Sequence, residues 1–304
     1  MRHPDDLDNR IAKELGNPLT LQWNVRESYA SIARRIGVDE ETVRKRIRRA
    51  EEAGSIMGWR VVVSPNLIGC VDAYVDLEVG EIGRKQEILS QLRLLEGVIN
   101  ILNLEGRGLF VLFDSEPGEA LARKTRLISS ICETDRLTTW SGSIPPCDMR
   151  LSGTDWKIIW AIRDDPRKSI SRIADETGVT VRTVTRRLGL LTDRRAIFLV
   201  GLPNFRKTPG VSANFLIHTP DRGRSSSVGE MIGSEFRTVV FGAPIAPDYL
   251  FYNIVFQNLT EADEASDWIR GLIGVAGGRL GVMKDLIFVA EWMDDQIRRR
   301  LPAA

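Results

Sequence analysis

The chain has 304 residues, 43% hydrophobic and 27% charged, with 42 Lys and Arg against 41 Asp and Glu for a net charge of +1. This is ordinary globular composition, at a length that suits roughly two to four small domains. It excludes a polycation that holds nucleic acid by bulk charge, so any basic surface must be clustered. Cys70, Cys132 and Cys147 are odd in number, far apart and free of C-x-x-C spacing. They predict neither a disulfide framework nor a metal centre, and favour a reducing cytosol. The polar start Met1–Asp6 predicts no signal peptide, and no apolar run nears the roughly eighteen residues of a membrane span, so a cytoplasmic protein is expected.

An internal repeat organises the rest. Residues 31–56 and 172–197 superpose without a gap at an offset of 141, with eight identities in 26 positions. The matches are Ile32/Ile173, Ala33/Ala174, Gly37/Gly178, Val38/Val179, Thr42/Thr183, Val43/Val184, Arg46/Arg187 and Ile56/Ile197. Most are apolar or glycine, as the core and turns of a duplicated unit require.

In chain order, Leu7, Ile11 and Leu15 form the apolar stripe of a first helix. A short helix ending at Gly37 follows, then a longer one capped by Asp39. Trp59–Val63 is β-branched and closes at Ser64-Pro65-Asn66, which predicts a strand and a turn. Next comes a β-α-β-β-α-β run: strand 71–79, helix 85–95, strands 98–104 and 109–114, helix 119–132 and strand 137–143. Copy two repeats the helical part from Trp156, with Gly178 as the turn and Thr180 as the cap, and its strand spans 197–200. Its second part predicts strand 211–218, a Ser-rich segment to Phe236, strands 238–241 and 249–256, helix 261–272 and strand 286–292. That element order is ferredoxin-like.

Two helices joined by a tight glycine turn are a common way to set the second one in a DNA major groove. At 100° per residue, Val43, Ile47 and Ala50 face inward, as do Val184, Leu188 and Leu191. Thr42, Arg44, Lys45, Arg48 and Arg49 in copy one, and Arg182, Thr183, Thr185 and Arg186 in copy two, are then the candidate DNA-binding residues. Arginine can bond guanine bidentately, threonine can meet a thymine methyl or a phosphate, and lysine mostly positions the backbone. A charge run is often only a solvated helix face, but two copies at one spacing favour the groove.

The residues Leu7-Asp8, Ile32-Ala33, Gly37-Val38, Thr42-Val43, Arg46-Ile47, Glu51-Glu52-Ala53-Gly54 and Ile56 resemble the DNA-binding half of the leucine-responsive regulator (Lrp/AsnC) family. Asp155, Ile158-Ile159, Arg167, Ile173-Ala174, Gly178-Val179, Thr183-Val184 and Arg187-Leu188 resemble it a second time. The resemblance implies a transcriptional regulator of double-stranded DNA. It also implies an α+β fold: two winged helix-turn-helix units (1–60 and 149–200) alternating with two ferredoxin-like domains of the family's effector-binding RAM type (61–148 and 201–304). The family's chain has one copy of each part and pairs through its α+β domains, so two copies imply an intrachain pseudo-dimer, on which homo-oligomers can still build. In the family a glycine-containing loop between the middle strands helps form a pocket for a small-molecule effector such as an amino acid. Gly242 and Asp248 keep that pattern in copy two, whereas Gly106 and Gly108 in copy one flank Arg107 and lack the acidic residue.

An enzyme on the same scaffold is the rival, since relatives of this architecture act as sirohaem decarboxylases. Against it, the two histidines are His3, near the start, and His218, at a strand end, where structural roles are commoner. No nucleophile elbow, phosphate loop or paired metal-ligand spacing is found, so catalytic residues, metals and cofactors are all expected to be absent. A third reading is an interaction protein that has lost DNA contact; Gly189 and Leu190 in place of Arg48 and Arg49 favour it locally, and Arg182 in place of Glu41 opposes it.

Overall fold

The structure, a computed structural model, describes residues 6–17, 22–207, 210–236 and 238–303; His3 lies outside them. Copy one comprises α1 (Asp6–Leu15), β1 (Gly16–Asn17), β2 (Gln22–Trp23), α2 (Tyr29–Ile36), α3 (Glu40–Glu52) and β3 (Ile56–Val63). It continues with β4 (Val71–Glu78), α4 (Lys85–Leu94), β5 (Val98–Leu104), β6 (Gly108–Ser115), α5 (Glu119–Ile131) and β7 (Leu137–Ser141). Copy two opens with α6 (Gly153–Ile162), α7 (Ile170–Thr177), α8 (Val181–Asp193), β8 (Ile197–Pro203) and β9 (Val211–His218). It ends with α9 (Arg222–Glu235), β10 (Val239–Ala246), β11 (Tyr249–Phe256), α10 (Leu259–Arg270), β12 (Gly277–Phe288) and α11 (Glu291–Arg298).

The helical halves are punctuated alike. Ser28 and Ser169 accept from the backbone of Ser31 and Arg172 at the starts of α2 and α7, and these helices end at left-handed Gly37 (φ +74°) and Gly178 (φ +68°). A side chain at either glycine would be strained, which fixes the tight turn into the next helix. Asp39 Oδ1 then accepts from the Thr42 N–H at 2.7 Å to open α3, and Thr180 Oγ1 from the Thr183 N–H at 3.3 Å to open α8.

Copy two departs from its expected elements in four places, the first being β10, which runs on to Ala246 rather than ending at 241. The Ser-rich segment is the helix α9: Asp221 caps it, and Ser227 and Ser234 donate to the carbonyls of Gly223 and Glu230 one turn back, so its polar side chains are satisfied along the helix. The last strand begins at Gly277, nine residues before the expected 286, and stops at Phe288 rather than Trp292. Its glycines mark close approach inside a sheet rather than a turn; a Cβ on Gly281 would meet Leu104 Cδ1 at 2.6 Å. Trp292 belongs instead to α11, which was not expected and buries Met293 and Ile297.

Eight of the strands form one sheet in the order β10-β11-β9-β12-β5-β6-β4-β7, while β1 pairs with β2 and β3 with β8. The long β12 joins its halves, pairing with β9 through Gly277–Val282 and with β5 through Met283–Phe288. The halves fold onto each other around Phe110, Trp140, Ile245 and Phe251, and the end strands β10 and β7 lie together. Helices α4 and α5 cover one outer face through Ile88, Leu92 and Ile128; α9 and α10 cover the other through Val228, Ile232, Ala262 and Ile269. Strands β4 and β9 thus belong to half-sheets that meet within one polypeptide.

Phe110 stacks on Phe251 with centroids 4.7 Å apart, and their numbers differ by the repeat offset (251 − 110 = 141). An approximate two-fold axis therefore passes between them. The same relation orders β3 and β8, which pair antiparallel from Val63↔Ile197 to Ile56↔Pro203, so the strand that closes each helical unit is completed by the other copy. The two units differ in how they are held. The first has its own small core of Ile11, Leu15, Ile32, Ile36, Val43 and Ile47. The second shares the largest core, where Trp156, Ile159 and Leu188 pack with Val61, Val63, Met293 and Ile297.

Candidate nucleic-acid interface

Helices α3 and α8 bury Val43 and Ile47, and Val184, Leu188 and Leu191, as the helical period requires. On their outward sides Lys45, Arg48 and Arg49, and Arg182, Thr185 and Arg186, are exposed. The acidic first turn of α3 engages part of this charge. Arg44 pairs with Glu40, lies 3.5 Å from Glu41 and sits 5.7 Å over the Tyr29 ring, while Lys45 Nζ is 3.9 Å from Glu41. Helix α8 has no acid in its first turn. Among the described residues no ion pair is found for Arg48, Arg49, Arg182 or Arg186, which leaves two uncommitted guanidinium groups on each helix. Thr42 and Thr183 are half-buried and tied into the caps: Thr42 Oγ1 donates to Asp39 Oδ2 at 2.7 Å, and the Thr180 hydroxyl donates to Thr183 Oγ1 at 3.0 Å. Thr185 donates to the Val181 carbonyl at 2.9 Å.

Sequence reasoning missed the roles of Arg46 and Arg187. Arg187 Nε donates to Asp155 Oδ1 at 2.6 Å and Nη2 to Oδ2, while Asp155 Oδ2 also accepts from the Ser152 N–H (2.7 Å) and hydroxyl (2.6 Å). Burial pushes the Asp155 carboxyl up, but the Arg187 and Ser152 bonds outweigh it and hold it below the usual carboxylate range. In copy one Arg46 reaches Asp8 at 3.3 Å, in a more exposed setting. Each pair ties its unit's first helix to the candidate recognition helix. The signal was there in Leu7-Asp8 and Thr154-Asp155, but these match at an offset of 147, not 141, because the first interhelical loop of copy one is six residues longer.

The four candidate effector residues are not brought together. Gly106 (φ +66°) turns the chain between β5 and β6, and its carbonyl accepts from Lys85 Nζ at 2.7 Å. A Cβ on Gly108 would press on Leu104 Cδ1 at 3.2 Å. They flank Arg107, which with Glu78, Gly80, Glu133, Asp135 and Arg136 lines a cleft of about 480 Å³. Gly242 and Asp248 lie on the other half-sheet. Gly242 leaves room for the Tyr252 ring, while the Asp248 carbonyl accepts from the Thr219 N–H at 2.8 Å and its carboxylate lies 3.7 Å from His218 Nε2. His218 stacks on Tyr249 at 4.7 Å, and Tyr249 packs against Trp140 at 4.8 Å, so the strand-end histidine closes an aromatic row. Among the described residues no cluster of His, Cys, Asp and Glu is placed to hold a metal, and no helix is long and apolar enough to cross a membrane.

Residues 5–51 match the family described as AsnC-type helix-turn-helix domain, and residues 151–196 that described as winged helix-turn-helix DNA-binding. The chain is 31% identical over 87 residues to the HTH-type transcriptional regulator Ptr1 of Methanocaldococcus jannaschii, a match covering 28% of this chain and 58% of that one. It is 35% identical over 65 residues to the regulatory protein AsnC of Escherichia coli K12, covering 21% of this chain and 39% of that one. The chain therefore spans only about half the length of these curated relatives. Among solved structures, the siroheme decarboxylase NirDL is similar over 98% of both chains with a TM-score of 0.57 and 15% identity, a likeness of fold alone. Its two helix-turn-helix segments, one of them AsnC-type, are thus similar to the DNA-binding parts of Lrp/AsnC regulators.

Proposed function

We propose that the chain is a sequence-specific transcriptional regulator that reads double-stranded DNA through α3 and α8, its helix-turn-helix units alternating with two RAM-type ferredoxin-like domains. The observation that carries this is the pair of uncommitted arginines on each helix, Arg48 and Arg49 on α3 and Arg182 and Arg186 on α8, presented by units related by one approximate two-fold. Thr42, Arg44, Lys45, Thr183 and Thr185 complete the contact set. The helices are unlike, because Glu41, Lys45, Arg48 and Arg49 become Arg182, Arg186, Gly189 and Leu190. A carboxylate accepts from cytosine and repels phosphate while arginine favours guanine, so one chain reads two unlike half-sites. The regulator Ptr1 and the AsnC protein support the regulatory role by name.

Selection on random duplex DNA tests this. The expected result is an asymmetric consensus and an affinity that falls steeply with salt. Arg48→Ala or Arg182→Ala should then cost about 1–3 kcal/mol if the side chain reads a base, and less with a shallower salt slope if it meets phosphate. Unchanged binding in both variants refutes the groove assignment.

A small-molecule effector is the finer part of the proposal. The Arg107 cleft beside Gly106 and Gly108 suits a zwitterion such as an amino acid, because both basic (Arg107, Arg136) and acidic (Glu78, Glu133, Asp135) residues line it. Calorimetric titration with amino acids checks it. The whole-chain likeness to NirDL favours an enzyme as the second reading. Turnover of a sirohaem-type substrate without salt-sensitive DNA binding would decide for it.

A further inference from the structure

Arg26 and Arg167 stand one repeat offset apart (167 − 26 = 141), each two residues before the serine that caps the second helix of its unit, Ser28 or Ser169. The approximate two-fold brings both to the junction of the helical units, and there they do different things. Arg26 Nη1 donates to the carbonyls of Pro166 (2.7 Å) and Lys168 (2.6 Å) on the loop between α6 and α7. The Arg167 guanidinium lies over the rings of Tyr29 (4.7 Å) and Trp59 (5.2 Å) in the other unit. Copy two has Ile170 and Val200 at the positions of Tyr29 and Trp59, so a reciprocal stack cannot form. The like charges feel each other: burial, then Arg167, holds the Arg26 guanidinium below its usual range, with Asp165 opposing. A pair of identical chains would have to give both arginines one role around the axis. Duplication has let one bond carbonyls while the other stacks.

The junction also reaches the reading face, because the Tyr29 ring that carries Arg167 is the one beneath Arg44 of α3. The β3–β8 ladder joins the units where α3 and α8 end, and beside it the Val25 N–H donates to the Leu199 carbonyl at 3.2 Å and the Val61 N–H to the Arg163 carbonyl at 3.1 Å. The two arginines add an attachment at the interhelical loops, away from the ladder, that limits rotation about it. Resting on the DNA-binding reading above, we propose that Arg26 and Arg167 form a clasp that sets the separation and phase of α3 and α8, so that the chain accepts its two half-sites at one spacing.

The test uses the full chain with Arg26→Ala and Arg167→Ala together. Spin labels on Arg34→Cys and Asp175→Cys, exposed and equivalent positions of α2 and α7, report the distance between units without DNA; the native cysteines are buried. The expected result is one narrow distance with the clasp intact and a broadened distribution without it. Duplexes carrying the selected half-sites are then shifted apart by about two base pairs, roughly 70° of twist. The clasped chain should lose about tenfold in affinity, the unclasped chain less than about threefold, with the half-site sequences unchanged. Arg26→Lys, which still donates to both carbonyls, should keep the parental profile. Identical distances and identical spacing profiles in the double variant overturn the clasp and leave the geometry to the ladder and the shared core. A narrow parental distance with no salt-sensitive DNA binding instead sinks the DNA reading, and the spacing role with it.

Discussion

Asp155 is fully buried and accepts four hydrogen bonds, two from Ser152 and two from Arg187. Removing it leaves the guanidinium largely shielded and unpaired, which costs more than the net worth of the ion pair. Asp155→Ala should destabilise the second helical unit by about 3 kcal/mol, whereas Asp8→Ala, whose pair with Arg46 is solvated, should cost under about 1 kcal/mol; denaturant unfolding of the two variants checks the contrast. The candidate site was legible at this scale as a helix face. Period alone placed Val43, Ile47, Val184 and Leu188 inside and Arg48, Arg49, Arg182 and Arg186 outside. It could not separate Arg44 from Arg48, because both are basic and outward by angle and only the fold puts Glu40, Glu41 and Tyr29 around one of them. Nor could it assign Arg46 and Arg187, whose partners sit on another helix across a loop of unequal length.

The order of elements followed from hydrophobic period and glycine punctuation through copy one, and failed in copy two where residue type misleads. Serines in α9 return their hydroxyls to the helix, and the glycines of β12 serve close packing in mid-sheet, so neither segment announces its structure. Helix α11 was invisible for another reason: its apolar stripe is short, and its partners in α6 and β5 lie more than a hundred residues upstream. It braces the second unit. Ile297 is fully buried in the shared core, Arg298 lies 5.3 Å over the Trp160 ring, and Arg300 donates to the Ile68 carbonyl at 3.0 Å. Ile297→Ala should cost about 2–4 kcal/mol, the usual range for a core aliphatic truncation. Because the first unit has a core of its own, the loss should fall on amide-exchange protection in α6 and spare α2 and α3. Uniform loss across both units would mean that the two cores unfold together.

At the scale of the whole molecule, folding one sheet onto itself places ionisable groups between the halves, and their energetics differ from those of the helical units. Asp76 faces Arg279 of copy two and Glu78 of its own strand; burial pushes its carboxyl from 3.8 to about 6, with Arg279 opposing and Glu78 adding to the rise. Asp114 is pushed well above the carboxylate range by burial and by Asp72, with Lys124 opposing, and its Oδ2 has no hydrogen-bond partner. Both shifts have the same sign. Between about pH 4 and 6 the unfolded chain releases the Asp76 proton while the folded chain keeps it, so unfolding gains on folding as pH rises. The contribution of Asp76 is fully present below about pH 4 and lost through about pH 6, on the order of 3 kcal/mol. The buried pair at Asp155 acts oppositely, its stabilisation present above the ordinary carboxylate value and lost only in acid. Stability should therefore peak on the acid side of neutrality. Asp76→Asn, which can still accept from Arg279, should flatten the fall, gaining on the parent from pH 4.5 to pH 7.5 in denaturant midpoints. A parent whose midpoint rises steadily from pH 4 to 8, with Asp76→Asn parallel to it, would show that Arg279 outweighs burial and that the carboxylate is ionised between the sheets.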